Sequence, residues 1–342
     1  ALGLTACGGD DGGGGGGDDA APIKIGIIAD LTGATGDVGK PYNDGMLAYI
    51  DHLNAEGGIE GRQIEADSND YAYEVPQAED LYRQYVNDGV VAIQGWGTGD
   101  TEALSSRVAS DELPFMSGSF AETLTDPEEA PYNFVVAPTY SDQMRVALNW
   151  IAEDAGGNAD VAFFHNDSPF GLAPLADGEA WIEDESLPIS MEAYPMAAGS
   201  ANYVGLLSQA KSQGAKYIVI QNVSSPAAQV AKDLAAQQLD MKIVCLNWCA
   251  DEQFIDTAGG AGGCSATVCR GMRIDFHNVP SDACLYMVPV LSKRFRWLYA
   301  RPAETGSSWY IIQRPTMTYP NHELRVVEAC TQSDEVTFLI AT

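Results

Sequence analysis

The chain is poor in positive charge. Its 342 residues include 18 Lys and Arg against 48 Asp and Glu, with a formal net charge of −30. A nucleic-acid-binding protein needs basic side chains to neutralise phosphates, so this function class is excluded. The chain also lacks any run of about 18 or more apolar residues, the length that a membrane-spanning helix requires. We therefore expect an acidic protein without nucleic-acid partners.

Sequence motifs for catalysis and metal binding are also missing. We find no P-loop, no G-x-S-x-G and no H-E-x-x-H, and the four histidines lack the spacing of metal ligands. Asp67 to Asp70 lacks the glycine and distal glutamate of an EF-hand. The glycines of Gly33–Gly39 are spaced G-x-x-G-x-x-G, which differs from the dinucleotide fingerprint. We expect no metal and no cofactor, and a soluble α/β enzyme acting on a nucleotide or small molecule is kept as the alternative hypothesis.

The N-terminal segment is typical of an exported, lipid-anchored protein. Residues 1–6 resemble the end of a signal peptide, and Leu4-Thr5-Ala6-Cys7 is similar to the lipobox of bacterial lipoproteins. The resemblance implies a lipid on Cys7 and anchoring to the outer side of a membrane, in the periplasm or at the cell surface. Residues 8–19 are only Gly and Asp, so residues 7–21 form a flexible tether. A disordered tail with an incidental cysteine is the alternative.

From residue 22 onward, short β-branched apolar segments alternate with amphipathic ones. Ile23–Ala29 is typical of a strand that is buried on both faces, and Tyr42, Met46, Tyr49, Ile50 and Leu53 recur at helical spacing. A second such series starts near Thr139. This alternation predicts α/β architecture with two Rossmann-like lobes and parallel sheets, a first lobe at residues 22–138 and a second at 139–262.

Some element boundaries can also be predicted. We expect a Gly-rich turn over residues 31–39 before the first helix, and further helices over 101–110 and 171–183. Ser225 and Pro226 suit the N-cap and first position of another helix.

Several phrases resemble leucine/isoleucine/valine-binding proteins, which are substrate-binding proteins of branched-chain amino acid ABC transporters. They are Ile23–Gly26 with Leu31–Gly33, Leu53–Arg62, Asn69-Asp70, Val75–Ala78 and Phe170-Gly171. The resemblance covers residues 22–259. It implies a type I periplasmic-binding fold, a ligand cleft between two lobes, and closure around an amino acid or analogue for an ABC permease partner.

The resemblance also implies which first-lobe residues bind the solute. In the loop after the third strand, Thr98 matches a ligand-binding serine of the family, beside Trp96 and Thr101. We expect Thr101 at a helix N-terminus, which favours an anion, although it could simply cap that helix. Ser119 and Ala121, after the fourth strand, match more loosely.

From the second lobe the resemblance implies Phe170, Asn222 and Trp248, with Asp251 as a candidate carboxylate for an ammonium group. Phe170 stands where the family usually has tyrosine, and it could instead be a core aromatic. Trp96 and Trp248 could wall an apolar or aromatic pocket or stack on a cation, so the solute could differ from leucine, isoleucine and valine.

The sequence changes character near residue 263. Residues 1–262 contain 10 Lys and Arg against 41 Asp and Glu, whereas residues 263–342 contain 8 against 7. This atypical tail could be a divergent family end, a different module or an out-of-frame product. The last is favoured, because the composition changes and the family motifs stop at the same point of the chain. Cys264 and Cys269 lack a second pair at zinc-binding spacing. Cys245 and Cys249, or the tail cysteines, could form disulfides in an oxidising compartment.

Overall fold

Two α/β lobes, each with its own sheet, make up most of the part of the chain that the structure describes. The computed structural model describes residues 21–259 and the strand segments 266–268, 272–273, 299–302 and 309–312. The first lobe has five parallel strands in the order β2-β1-β3-β4-β5. Its elements are β1 (Ile23–Ala29), α1 (Gly36–Ala55), β2 (Ile64–Asp70), α2 (Val75–Asp88), β3 (Ala92–Gln94), α3 (Thr98–Asp111), β4 (Phe115–Met116), a 3₁₀ turn (Glu122–Leu124) and β5 (Asn133–Phe134).

The second lobe is built on a six-stranded sheet in the order β11-β10-β9-β8-β6-β7, parallel except for the β10–β11 pair. Its elements are α4 (Tyr140–Ala155), β6 (Ala159–Asn166), α5 (Pro169–Leu172), α6 (Leu175–Asp184), β7 (Ile189–Met196), α7 (Val204–Ser212), β8 (Tyr217–Gln221), α8 (Ser224–Ala236), β9 (Lys242–Cys245), a 3₁₀ turn (Asn247–Cys249), α9 (Glu252–Ala258), β10 (Ala266–Val268) and β11 (Met272–Arg273). A separate antiparallel pair joins β12 (Tyr299–Pro302) and β13 (Trp309–Ile312).

The predicted fold class is confirmed. Strand β8 is buried along its whole length, as expected for a central parallel strand with helices on both faces. Its residues alternate between two cores: Ile218 and Ile220 pack toward α7 and α8, while Tyr217 and Val219 pack toward α4. Within the described residues, no helix has both the length and the apolar character needed to cross a membrane.

The first helix begins inside the segment predicted as a turn. The Asp30 carboxylate accepts hydrogen bonds from the backbone N–H groups of Gly33 (2.6 Å) and Thr35 (2.9 Å) and from the Thr35 hydroxyl (2.6 Å). This compact loop lets α1 start at Gly36. The helix ends at Ala55, just before the Gly57-Gly58 pair, in which both glycines have positive φ.

Three other boundaries differ from the prediction. Helix α3 starts at Thr98 rather than Thr101. The helix predicted over 171–183 is interrupted by Pro174, which separates α5 from α6. Helix α8 begins at Ser224 with Val223 as its N-cap, so Ser225 is not the cap.

The second sheet continues beyond residue 262, because β10 pairs in parallel with β9. The proposed lipidation site Cys7, the tether and the cysteines of the tail (Cys264, Cys269, Cys284, Cys330) lie outside the described residues. The predictions made for them remain predictions.

Candidate binding cleft between the lobes

The loops after β3 and β4 of the first lobe share a hydroxyl network. The Thr98 and Ser119 hydroxyls lie 2.7 Å apart, and the Ser119 backbone N–H donates to the Ser117 hydroxyl at 2.8 Å. The Ser117 hydroxyl in turn lies 2.8 Å from that of Thr101. All four residues are buried. Because each hydroxyl is hydrogen-bonded to a neighbour, the network fixes the position of Thr98 at the start of α3.

A buried carboxyl group lies behind this network. Asp100 accepts hydrogen bonds from the Tyr71 hydroxyl (2.8 Å) and from the Gly97 backbone N–H (3.2 Å). Burial raises the pKa of Asp100 to about 6, and the hydrogen bonds from Tyr71 and Gly97 oppose that rise only in part. This side chain, in the first turn of the helix that carries Thr98, therefore ionises near pH 6.

Trp96 forms the apolar part of the same loop. Its indole N–H donates to the Thr35 hydroxyl at 2.7 Å, which links the loop after β3 to the loop after β1. Its ring lies 5.1 Å from the ring of Tyr42, centroid to centroid. With both its ring and its N–H held, Trp96 is fixed as a wall.

The second lobe contributes Trp248, from the 3₁₀ turn after β9. Its ring stacks on Phe120, with centroids 5.5 Å apart and planes at 13°, and lies 5.2 Å from the ring of Trp96. Its indole N–H donates to the Tyr140 hydroxyl at 2.9 Å. A tryptophan of the second lobe thus packs directly against the aromatic residues of the first.

The facing loops form a small, partly open cavity, where about 230 Å³ of empty space includes open solvent. Most of its lining follows the carboxyl ends of strands in both sheets, where open α/β sheets bind ligands. The lining residues are Thr35, Tyr73, Trp96, Gly97, Thr98, Gly118, Tyr140, Phe170, Val223 and Trp248.

Four of the nine predicted ligand-binding residues line this cavity: Trp96, Thr98, Phe170 and Trp248. Thr101 does not, because α3 starts three residues earlier than predicted. Its hydroxyl instead donates to the Gly97 carbonyl one turn back, at 2.5 Å.

Ser119 and Ala121 lie just behind the cavity. Ser119 is one hydrogen bond from the lining through Thr98, and the Ala121 N–H donates to the Ser119 hydroxyl at 3.3 Å.

The remaining two predicted residues are held by their own lobe. The Asn222 side-chain oxygen accepts from the amide of Asn166 (3.1 Å) and from the backbone N–H of Val223 (2.9 Å). Asp251 caps α9 by accepting from the Phe254 N–H at 2.8 Å, and its second oxygen accepts from the Ser224 hydroxyl at 2.5 Å. The structure therefore brings neither residue to the cavity wall.

Other residues line the cavity that were not predicted. Thr35 follows β1, Tyr73 follows β2 and Val223 follows β8. The carboxyl-edge rule, applied to every strand, would have identified them. Tyr140 lies where the chain crosses between the sheets, and nothing in its local sequence marks it.

In the described part of the chain, neither lobe brings a histidine, cysteine or carboxylate side chain to the cavity lining. No group of three or more His, Cys, Asp or Glu side chains there is arranged to hold a metal ion. Among the described lining residues, hydroxyl groups and aromatic rings predominate. Such a surface can hold and desolvate a small molecule through hydrogen bonds and apolar contact.

Two lobes that enclose a small cavity between the carboxyl ends of their strands define a two-lobed solute-binding protein. The chain belongs to the periplasmic binding protein family, whose model matches residues 22–271. The family named from the sequence phrases is thereby confirmed.

Known relatives agree with this assignment. The chain is 24% identical over 264 residues to a leucine-, isoleucine-, valine-, threonine- and alanine-binding protein of Pseudomonas aeruginosa, covering 76% of this chain and 69% of that protein. A Leu/Ile/Val-binding protein homologue of Brucella abortus is 23% identical over 242 residues, covering 70% of this chain and 65% of the relative. These relatives are named as binding proteins, so the alternative of a soluble enzyme is not favoured.

Solved structures share the fold. A branched-chain amino acid ABC transporter protein of Thermus thermophilus with bound valine superposes with a TM-score of 0.68 at 24% identity, covering 71% of this chain and 63% of that one. An ABC transporter substrate-binding protein of Aeropyrum pernix gives 0.64 at 28% identity, covering 73% and 65%. The chain thus spans about two thirds of the length of these relatives.

Proposed function

We propose that this chain is the extracytoplasmic solute-binding protein of an ABC importer, and that it holds an amino acid or amino-acid-like solute in the cleft. The observation that carries the proposal is the meeting of Trp248 from the second lobe with Trp96 and Thr98 of the first around one cavity. A site built from both lobes couples solute binding to lobe closure, because only the closed form makes both sets of contacts.

The first lobe would hold the polar end of the solute. Thr98 offers its hydroxyl, and as the first residue of the 14-residue helix α3 it brings backbone N–H groups and the positive end of the helix dipole to the cavity. These donors suit a carboxylate. We assign Ser119 and Thr101 a positioning role, since their hydrogen bonds hold the loops that carry Thr98.

The apolar body of the solute would lie against Trp96, Phe170 and Trp248. Phe170 is buried and has no hydroxyl group to offer, so its contact with the solute is apolar. The relatives are named for leucine, isoleucine, valine, threonine and alanine, whose side chains are small and mostly apolar. Aromatic acids and aromatic amino acids are equally compatible with a wall of indole rings.

Membrane attachment through a lipid on Cys7 and delivery to an ABC permease complete the proposal. The lipobox and the Gly/Asp tether of residues 8–19 support the anchor. In the full-length precursor, Cys7→Ser should release the protein from the membrane fraction. A variant that still fractionates with membranes would contradict the anchor, while the binding function would be unaffected.

Solute titration tests the function itself. Branched-chain and aromatic amino acids, small amides and aromatic acids are screened by thermal shift and then by calorimetry. A bound solute at about 100 times its Kd should stabilise the fold by about 2.7 kcal/mol. The solute should be recovered chemically unchanged, and its binding should alter tryptophan fluorescence. Turnover of the solute would instead point to an enzyme.

A further inference from the structure

Two buried cysteines flank the turn that carries Trp248. Cys245 is the last residue of β9, and Cys249 ends the 3₁₀ turn that follows. Both thiols are fully buried and free. Trp248 is the residue immediately before Cys249, so any link between the two cysteines would span the segment that places this ring in the cleft.

The strand register puts the two side chains on the same face of the second sheet. Cys245 and Cys249 belong to the apolar core under α7 and α8, whereas Val244 and Leu246 point into the opposite core. A strand alternates its side chains between the two faces, so Cys245 must point toward α8. The 3₁₀ turn then brings Cys249 back to that face.

Both cysteines lie next to the same residue of β8, Ile220. Cys245 is the register partner of Ile220 on β8. The Cys249 sulfur lies 3.4 Å from the Ile220 carbonyl oxygen. Burial, together with the nearby Cys245 side chain, raises the pKa of Cys249.

We propose that Cys245 and Cys249 form a disulfide in the exported protein and that this bond holds the Trp248 turn in place. The proposal uses the extracytoplasmic location of the family, because disulfides form and persist in oxidising compartments. It does not depend on which solute is bound. The bond would close a ring of five residues across the second-lobe wall of the cleft.

The chemistry is a two-step thiol–disulfide exchange with an oxidising dithiol–disulfide protein of the compartment. The thiolate of one cysteine attacks the oxidant's disulfide, which gives a mixed disulfide and releases one oxidant thiolate. The thiolate of the other cysteine then attacks the sulfur of the first and releases the second oxidant thiolate. Two electrons pass to the oxidant, and the protons of the two cysteines neutralise its thiolates. Burial keeps the thiols unreactive in the folded chain, so the exchange takes place during folding.

Peptide mapping tests the bond in the full-length protein. The chain is exported to an oxidising compartment, its free thiols are blocked with N-ethylmaleimide under denaturing conditions, and it is cleaved with trypsin and a glutamate-specific protease. Cleavage after Lys242 and Glu252 isolates a ten-residue peptide that contains only these two cysteines. We expect it without label and lighter by two hydrogen atoms than its reduced form. Label on both cysteines, or a link from either one to another cysteine, would overturn the proposal.

A thermal measurement tests what the bond does. Reducing agent should lower the Tm of the parent protein by about 4 to 8 °C, the shift expected for opening a ring of this size in a domain of 150–250 residues. The double variant Cys245→Ala/Cys249→Ala is the control, and its Tm should not respond to reductant. An equal response in parent and control would show that the bond contributes no stability here. Because the mapping uses the parent protein, it decides the existence of the bond even if the variant does not fold.

Discussion

The two sides of the cleft are built from different chemistry. The first-lobe side presents Thr98, backed by the hydroxyls of Ser117 and Ser119, at the start of a long helix. The second-lobe side presents Phe170, Val223 and Trp248. The first lobe can therefore supply hydrogen bonds as well as the apolar ring of Trp96, and the second lobe mainly apolar contact. A solute with one polar end would be oriented by the first lobe, and its apolar body would be covered when the second lobe closes.

Removing the apolar wall should have the largest effect. Trp248→Ala deletes the ring that packs on Trp96 and Phe120, so we expect affinity to fall by about 2–4 kcal/mol, or roughly 30- to 1,000-fold. Calorimetry on the folded variant measures this. Trp181→Ala is the matched control, because Trp181 lies on α6 and bonds Asn149, away from the cavity. Equal losses in both variants would show that Trp248 acts through stability rather than contact.

Removing the polar contact should have the next largest effect. Thr98→Ala removes a hydroxyl that we expect to donate to a charged group, at a cost of about 1.5–3 kcal/mol in affinity. Thr98→Ser should retain most of the affinity, since it keeps the hydroxyl.

Thr101 provides the contrast. Its hydroxyl bonds Gly97 and Ser117 rather than facing the cavity. Thr101→Val should therefore lower the free energy of unfolding by about 1–3 kcal/mol while leaving affinity nearly unchanged. If Thr101→Val weakens binding as much as Thr98→Ala does, it is wrong that Thr98 contacts the solute while Thr101 only supports the loop.

Asp100 should make stability depend on pH. Its pKa is about 6 in the folded protein against 3.8 ordinarily, so between these pH values the folded state binds more protons than the unfolded state. Stability from this group is thus highest below pH 4 and is lost as pH rises through 6, by on the order of 2–3 kcal/mol.

Asp100→Asn removes that ionisation. The parent should lose this free energy of unfolding between pH 4 and pH 7, whereas the variant should not. Urea unfolding of both proteins at the two pH values measures the difference. The control Asp44→Asn changes an exposed carboxylate paired with Lys40. If the free energies of unfolding of Asp100→Asn and the parent differ by the same amount at both pH values, the raised pKa of Asp100 is contradicted.

The smallest effect is expected at a polar contact between the lobes. The Asp37 carboxylate on α1 accepts a hydrogen bond from the Ser225 backbone N–H on α8 at 2.9 Å. Asp37→Asn should weaken this contact and lower solute affinity by about fivefold, because a hydrogen bond to a neutral group is about 1 kcal/mol weaker. Calorimetry measures the affinity, with Asp44→Asn on the same helix as control. Unchanged affinity would show that closure does not use this contact.

What the sequence could predict follows from local periodicity. Apolar β-branched segments such as Ile23–Ala29, separated by amphipathic helices, are sufficient to predict two parallel α/β lobes, because burial on both faces imposes that pattern. The same pattern identifies the loops after the strands, and the resemblance to leucine/isoleucine/valine-binding proteins implied Trp96, Thr98, Phe170 and Trp248 within them.

Tertiary structure alone decided which side chains of those loops face the cavity. Thr98 and Thr101 are three residues apart on one helix, and only the actual start of α3 puts the first at the cleft and the second in the core. The sequence allowed Asp251 to contact a ligand or to cap α9. In the structure its carboxylate caps α9, because it accepts hydrogen bonds from the Phe254 N–H and the Ser224 hydroxyl. Tyr140 lines the cavity because the segment that crosses between the sheets places its hydroxyl where it accepts a hydrogen bond from the Trp248 indole N–H. Each of these outcomes depends on contacts between residues far apart in the chain, which local periodicity does not encode.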